Sequence, residues 1–419
     1  MNTEGLIQIA GLCISGLVLL QVIFLSFSSL RAGVYKRRQW QTELSVLEKQ
    51  ISLHALNLDL AKNKSKGAWE GYRKFTISKK EHEKKSGICS FYLKPHDGMS
   101  IPSFEPGQYL FFKLNLSTEK KPILRCYSLS DSPLNKDCYR VSIKKALPPG
   151  DNSNLPSGIS SSYFHDNLQE GDIVDVRAPS GKFYIDLLSH KPVVLIGGGV
   201  GITPVLSMLN ALCDINSQRE IWFFFGIRNG DEHIMESHFK AIEDKFDNIH
   251  INICYSRPTE QDKKEKKYHH ASRVNIDLLK QLLPSNNYEF YFCGPPQMMD
   301  SLETDLKTWG VPKSSVNFER FGSPSKKIVE TLDKSIPINF SRSQKTLNWD
   351  GAQSLLDLAE DNNIVIDSSC KRGMCGLCQT SIKSGSVFYD EIPEYLPELE
   401  EGLCLPCVAK TKDKLELDA

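Results

Sequence analysis

At 419 residues the chain exceeds the ~250–300 residues at which a single hydrophobic core stops growing, which argues for several domains. Its 51 basic and 51 acidic residues give a formal net charge of zero, so no global field points to nucleic acid or another polyanion. Hydrophobic residues at 40% and aromatics at 9% exclude a disordered or collagen-like chain, and 12 cysteines over this length exclude a small disulfide scaffold.

Between Glu4 and Arg31 lie 26 residues without a charge, whereas a helix needs about 20 apolar residues to cross a bilayer. The stretch 6–27 therefore predicts an uncleaved transmembrane helix, although Gln8, Gln21 and several serines dilute it. A signal peptide fits less well, because Glu4 stands where a basic n-region belongs and no A-x-A site follows. Arg31, Lys36, Arg37 and Arg38 flank the run, and the positive-inside bias places the rest of the chain in the cytoplasm, tethered to the cell membrane. Residues 1–38 form the expected anchor and basic flank. Residues 39–70, with leucines at mixed spacing from Leu44 to Leu60, predict a helical stalk, a short dimerising coiled coil or a helix packed on the next domain.

From 71 to 188 the pattern turns to short apolar-alternating runs at 73–79, 88–93, 109–114, 125–129, 139–144 and 173–177, as expected of an antiparallel β-barrel. Within it lies Arg125-Cys126-Tyr127-Ser128. An Arg forks onto phosphate oxygens, a Tyr ring can lie against a flavin, and a Ser hydroxyl can bond to a ring edge. Pro106-Gly107-Gln108-Tyr109 precedes this run as a turn into a strand. Gly158-Ile159-Ser160-Ser161-Ser162-Tyr163 follows as a Gly/Ser helix start with free N–H groups suited to a diphosphate. An edge-strand Arg beside a core Tyr would serve structure alone.

Residues 189–322 alternate strand and helix. The apolar run 193–196 reads as a parallel strand buried on both faces, followed by Gly197-Gly198-Gly199-Val200-Gly201-Ile202-Thr203-Pro204. Gly198, Gly199 and Gly201 let this loop approach a dinucleotide phosphate, while Thr203 suits a helix cap and Pro204 a first turn. Strands at 221–226, 249–255 and 288–293, with helices at 233–246, 276–283 and 296–309, complete a doubly wound α/β domain. The last strand ends in Cys293-Gly294-Pro295-Pro296. Tyr255-Ser256-Arg257 ends the third, where such folds sort NADH from NADPH, and an Arg beside a Ser suits a 2′-phosphate. Arg228 and Arg273 are weaker candidates for the same nucleotide.

After a linker at 323–335, the segment 336–419 carries Cys370, Cys375 and Cys378 as C-x4-C-x2-C with Gly373 and Gly376 interleaved, the plant-type [2Fe-2S] spacing. The glycines permit the tight turns that aim N–H groups at sulfur. Cys404 and Cys407 both qualify as the fourth ligand. A structural zinc favours paired C-x2-C hooks, which this asymmetric spacing and the preceding 354–359 helix do not match.

The order P-G-Q-Y, R-x-Y-S, G-x-x-S resembles the ferredoxin–NADP reductase superfamily, and the fuller run over 72–322 is similar to the reductase module of flavohaemoglobins. That resemblance implies FAD held by Arg125, Tyr127 and Ser128 at the flavin and by Gly158, Ser161 and Ser162 at the pyrophosphate. It implies Cys293, with Gly294 and Pro295, beside the nicotinamide carbon that gives up hydride. Phe321, in Phe318-Glu319-Arg320-Phe321-Gly322, matches the aromatic residue that shields the flavin. Similar modules often carry an acid in place of Arg257, a departure that favours NADPH, while an Arg beside the lysine-rich loop at 263–267 serves equally as a solvated surface charge. Aligned to the ferredoxin ending G-x-x-L-x-C-x-A, residues 402–409 put Cys407 at the ligand position. The module order is similar to phthalate-dioxygenase-type reductases with a tether added, which implies an NAD(P)H-dependent enzyme serving an oxygenase, hydroxylase or desaturase. Anchor and stalk stand where a flavohaemoglobin has its globin, so nitric oxide dioxygenation is not expected. The alternative is a respiratory-type donor to quinone. A sensing protein with degenerate sites would need broken motifs, and none is broken.

Overall fold

The computed structural model describes residues 71–83, 85–116, 122–147, 157–321, 335–368 and most of 371–419, with Trp69 and scattered positions between 16 and 58. The chain divides into two units, Met1–Asn57 and Leu58–Ala419.

In the first unit the described residues, Gly16, Gln21 and Phe24 among them, are helical and exposed. Among the described residues no helix is long and apolar enough to cross a membrane, which corrects the expected transmembrane anchor and the cell-membrane localisation built on it. A charge-free run is not an apolar run: Gln8, Ser15, Gln21, Ser26, Ser28 and Ser29 interrupt it. Most of the 6–27 stretch and of the expected stalk lies outside the described residues.

The second unit begins with six antiparallel strands, β1 (Arg73–Glu83), β2 (Ile88–Pro95), β3 (Tyr109–Leu114), β4 (Ile123–Ser128), β5 (Tyr139–Lys144) and β6 (Ile173–Ser180), in the order β4-β3-β6-β1-β2-β5. A bridge between Leu129 and Val141 ties the end of β4 to β5 and closes the sheet. Period-two alternation points Phe75, Ile77, Phe91, Leu93, Leu110, Phe112, Val141 and Ile143 into one core, capped by Phe164. Each such side chain contributes roughly 1.5–3 kcal/mol by leaving water. Between β5 and β6 lies the short helix α1 (Ile159–Ser162), continued by a π turn, Tyr163–Asn167.

Five parallel strands follow: β7 (Val193–Gly198), β8 (Ile221–Ile227), β9 (Ile249–Tyr255), β10 (Glu289–Gly294) and β11 (Val316–Arg320). Their order is β11-β10-β7-β8-β9, so the direction of winding reverses between β7 and β10. The helices are α2 (Ile202–Asp214), α3 (Glu236–Lys245), α4 (Glu260–Glu265), α5 (Ile276–Leu282) and α6 (Pro296–Thr308). Two differ from expectation. α3 starts late because His233 is buried against Tyr255, its Nδ1 2.8 Å from the hydroxyl, and Met235 takes a left-handed φ of 54°. The lysine-rich stretch read as a loop contains α4, which Thr259 and Asp262 start with reciprocal side-chain-to-backbone caps.

The last domain has β12 (Ile336–Phe340), β13 (Lys345–Trp349), α7 (Leu355–Asp361), β14 (Thr380–Ser384), β15 (Leu403–Cys404) and β16 (Leu415–Leu417), ordered β13-β12-β16-β14-β15. The β12–β16 pair is parallel, the others antiparallel. Ser354 caps α7 by accepting from the Asp357 N–H at 3.0 Å, and Leu355, Leu358 and Ala359 pack that helix on Ile338, Phe340 and Trp349.

Candidate functional site

The carboxyl ends of β7 and β10 meet at the point where the sheet changes direction, the usual place for a ligand in an open α/β sheet. Two turns interlock there. A Cβ on Gly201 would stand 2.6 Å from the Gly294 Cα and closer still to the Cys293 carbonyl. One on Gly198 would meet the Pro295 ring at 2.7 Å and the Met298 sulfur at 2.8 Å. Gly201 and Gly198 are therefore glycine for packing. Gly199 is different: it holds φ +53° with nothing within 4 Å of where a Cβ would be, so its backbone faces open space that a phosphate can enter. Thr203 does not cap α2; Gly201 takes that position, and the Thr203 hydroxyl donates to the Val200 carbonyl at 3.1 Å.

Cys293 is fully buried at the end of β10, opposite Glu319 of β11. Burial pushes its thiol well above the usual range, the Glu319 charge adds to this, and Arg372 from the last domain opposes it. Cys293 is thus a neutral thiol near pH 7. Phe321 lies half-buried just past β11, where Arg320 pairs with Asp300 and Glu303, each at 2.7 Å.

At the ends of β8 and β9, the Arg257 N–H donates to the Arg228 carbonyl at 2.7 Å and the Ser256 N–H to the Ile227 carbonyl at 2.9 Å, bringing the two arginines side by side. Arg228 is engaged: its Nη2 donates to Glu232 Oε1 at 2.6 Å. Among the described residues the Arg257 and Arg273 guanidiniums have no carboxylate within ion-pair reach, and both residues are exposed.

In the barrel, Arg125 is exposed on β4, Tyr127 half-buried two residues on, and Ser128 buried at the strand end. The Tyr127 ring packs against Phe112 and Phe164 at 5.8 and 5.2 Å, and its hydroxyl is hydrogen-bonded to Ser160 Oγ at 2.9 Å. The expected motifs are thereby joined, but through Ser160, which the G-x-x-S reading passed over. Ser161 is turned inward: its Oγ donates to the Gly158 carbonyl and accepts from the Ala146 N–H, both at 3.0 Å. Ser162 Oγ is buried without a hydrogen-bond partner among the described residues. Gly158 packs so tightly that a Cβ would lie 2.8 Å from that of Ala146.

In the last domain the Cys378 and Cys407 sulfurs are 3.2 Å apart and buried, as two ligands of one cluster need. Cys370 and Cys375 lie outside the described residues. Cys404 sits wholly in the domain core, and burial, with help from Cys378, pushes its thiol up to about 12. The turn between the ligands is tight, since a Cβ on Gly373, at φ +70°, would lie 2.8 Å from Pro393. Lys371, at φ +53°, is pinned to α7 through Asp357 at 3.2 Å and through Glu360.

A barrel with a flavin-type strand, a dinucleotide-type switch point and a buried cysteine pair in the last domain fit a modular flavin- and nicotinamide-dependent reductase carrying an iron–sulfur domain. Family comparison agrees: an oxidoreductase FAD-binding domain matches residues 74–185, an oxidoreductase NAD-binding domain 195–304 and a 2Fe-2S iron-sulfur cluster binding domain 338–412. The chain thus combines the FAD- and NAD-binding domains of an oxidoreductase, like those of ferredoxin reductases, with a ferredoxin-type domain. The flavohemoprotein of Bacillus cereus (strain ATCC 14579) is 40% identical over 272 residues, 65% of this chain and 66% of that protein. The flavohemoprotein of Bacillus subtilis (strain 168) is 36% identical over 256 residues, 61% of each chain. The chain thus spans just under two thirds of these relatives' length. Among solved structures, the FAD/NAD-binding domain of a nitric oxide dioxygenase from Vibrio cholerae matches with TM-score 0.52 at 29% identity, covering 60% of this chain and 98% of that one. Phthalate dioxygenase reductase shares the fold over 84% of this chain and 98% of its own, with TM-score 0.51 at 24% identity.

Proposed function

We propose that this reductase draws electrons from NADPH in preference to NADH and delivers them singly, through the cluster domain, to an oxygenase, hydroxylase or desaturase. The observation that carries the reading is the interlock at Cys293, where the glycine turn packs on its carbonyl and the Glu319 strand lies beside it, together with the buried Cys378 and Cys407 sulfurs 3.2 Å apart in the last domain. When bound, the dinucleotide supplies two electrons together, FAD accepts the pair, and a [2Fe-2S] cluster carries one at a time.

The chain's own residues do the placing. Arg125, Tyr127 and Ser128 hold the flavin, with Gly158, Ser161 and Ser162 bracing the turn at its diphosphate. The open backbone at Gly199 takes the dinucleotide phosphates, while Gly198, Gly201, Thr203, Gly294 and Pro295 shape its floor. Cys293, as a neutral thiol, lines the nicotinamide site without repelling it, and Phe321 covers the flavin. Ser256 and Arg257, with Arg228 behind them, receive a 2′-phosphate; Arg257 carries this because its charge is not spent on a neighbouring carboxylate. Cys370, Cys375, Cys378 and Cys407 hold the cluster.

The test uses two cysteine variants of the full chain. Cys407→Ser should lose the cluster absorption and electron delivery to a cytochrome acceptor, yet keep NADPH-dependent ferricyanide reduction, which the flavin domain supports alone. Cys404→Ser should keep all three. Undiminished cytochrome reduction by a cluster-free Cys407→Ser protein would defeat the proposed route.

A further inference from the structure

The residues that follow the flavin strand grip the helix that begins at the glycine turn. Asp131 is the centre of this seam. Its backbone carbonyl accepts from Ser207 Oγ of α2 at 2.7 Å, and its carboxylate accepts from Asn135 Nδ2 at 3.1 Å and, at 3.5 Å, from Asn210 Nδ2 of α2. Arg140 of β5 lies 3.6 Å from the same carboxylate and donates through Nε to Ser130 Oγ at 3.2 Å. Asn210 passes the contact on to α3, its Oδ1 2.8 Å from His238 Nε2. Ser207 and Asn210 are buried, so these bonds are shielded from competing water.

The same helix is held from its other side. A Cβ on Gly107, in the turn that opens β3, would lie 2.6 Å from the Met208 methyl of α2, and the neighbouring Gln108 carbonyl accepts from the Leu129 N–H at 2.9 Å. Barrel and nucleotide domain are thus joined by a polar seam and a close-packed turn. Two seam residues lie close to a cofactor motif along the chain: Asp131 is three residues past Ser128, and Ser207 is six past Gly201.

We propose that Asp131 is a positioning residue: it fixes the angle between the flavin strand and the glycine-turn helix, and so the alignment of nicotinamide and flavin rings for electron transfer. The inference rests on the proposed reductase function. Reactions of this kind are steep in geometry, with a misplacement of ~1 Å costing about 10²-fold in rate. Loss of the Asp131 carboxylate leaves both binding sites and the Ser207 bond to the backbone carbonyl in place, but removes the Asn135, Asn210 and Arg140 contacts and so slackens the joint between the domains.

The experiment is anaerobic stopped-flow reduction of the flavin-loaded full chain by NADPH, with amide hydrogen exchange across α2 as a second readout. Asp131→Ala should keep its flavin and bind NADP+ within about twofold of wild type, while flavin reduction slows by roughly 10–100-fold. Deuterium at the transferred position of the nicotinamide should slow the variant more than the wild type, and exchange should rise in 202–214. Asp131→Asn, which keeps one acceptor oxygen for Asn135 or Asn210 but turns an amide NH2 towards the other, should recover only part of the rate. Should Asp131→Ala fail to fold, the double variant Ser207→Ala/Asn210→Ala cuts the same seam from the other side and must show the same split. A reduction rate within twofold of wild type in a folded seam variant overturns the positioning role. Wild-type protein that neither NADPH nor NADH reduces overturns the reductase reading instead.

Discussion

Replacing Gly201 by Ala is the sharpest test of the interlocked turns. The new methyl would stand 2.6 Å from the Gly294 Cα, against the ~3.5–4.0 Å at which carbon atoms rest, so the two turns must separate by about 1 Å. Both obstacles, the Cys293 carbonyl and the Gly294 Cα, are backbone, and neither can rotate away as a side chain would. Overpacking of this sort costs about 1–3 kcal/mol, which for a domain of this size lowers the melting temperature by roughly 4–8 °C at the middle of that range. Gly199→Ala is the internal control. It meets nothing within 4 Å and incurs only the strain of a left-handed φ, about 1 kcal/mol. Thermal unfolding of the two variants, with flavin content and NADP+ affinity measured beside it, should therefore rank Gly201→Ala as the more destabilised, with weakened dinucleotide binding and retained flavin. If Gly199→Ala proves the costlier change, or Gly201→Ala leaves stability and affinity untouched, close packing is not the reason for glycine at 201.

Arg257→Asp should turn the ratio of NADPH to NADH turnover towards NADH by at least about tenfold, since a carboxylate repels a 2′-phosphate and accepts from a ribose hydroxyl. An unchanged ratio in steady-state assays would remove Arg257 from the specificity site. Glu232 supplies a pH prediction. Burial pushes its carboxyl up, but the Arg228 and Lys144 contacts outweigh it and hold the group at about 2, below its ordinary 4.5. A depressed carboxyl stabilises the fold fully above the unfolded value and loses that contribution as pH falls from about 4.5 towards 2. Glu232→Gln should thus cost about 1–2 kcal/mol near neutral pH, after discounting for partial solvent screening, and the gap should narrow below pH 4.5 in urea unfolding. A gap that stays constant from pH 7 to pH 3 would show that the charge is not what matters.

The chemistry that was legible in the sequence is chemistry whose parts are neighbours along the chain. The glycine turn, C-G-P-P and C-x4-C-x2-C each concentrate their residues in a few positions, so spacing alone limits what they can hold. The six barrel strands were legible because one buried face imposes period two. What escaped depends on contacts between distant segments. Nothing near Ser160 says that its hydroxyl meets Tyr127, 33 positions earlier, while Ser161 turns inward. Cys404 and Cys407 are three positions apart and chemically identical, yet the fold leaves one in the domain core and sets the other 3.2 Å from Cys378. The membrane reading rested on a count of charges along the chain, whereas among the described residues no helix is long and apolar enough to span a bilayer. Most telling is the seam at Asp131. In R-C-Y-S-L-S-D-S the flavin motif ends at Ser128, and the residues after it read as an ordinary polar turn, because their partners, Ser207 and Asn210, lie more than 75 positions away. A motif names the cofactor each domain takes; the distance between two cofactors is set by residues that belong to neither motif, and only the folded chain displays them.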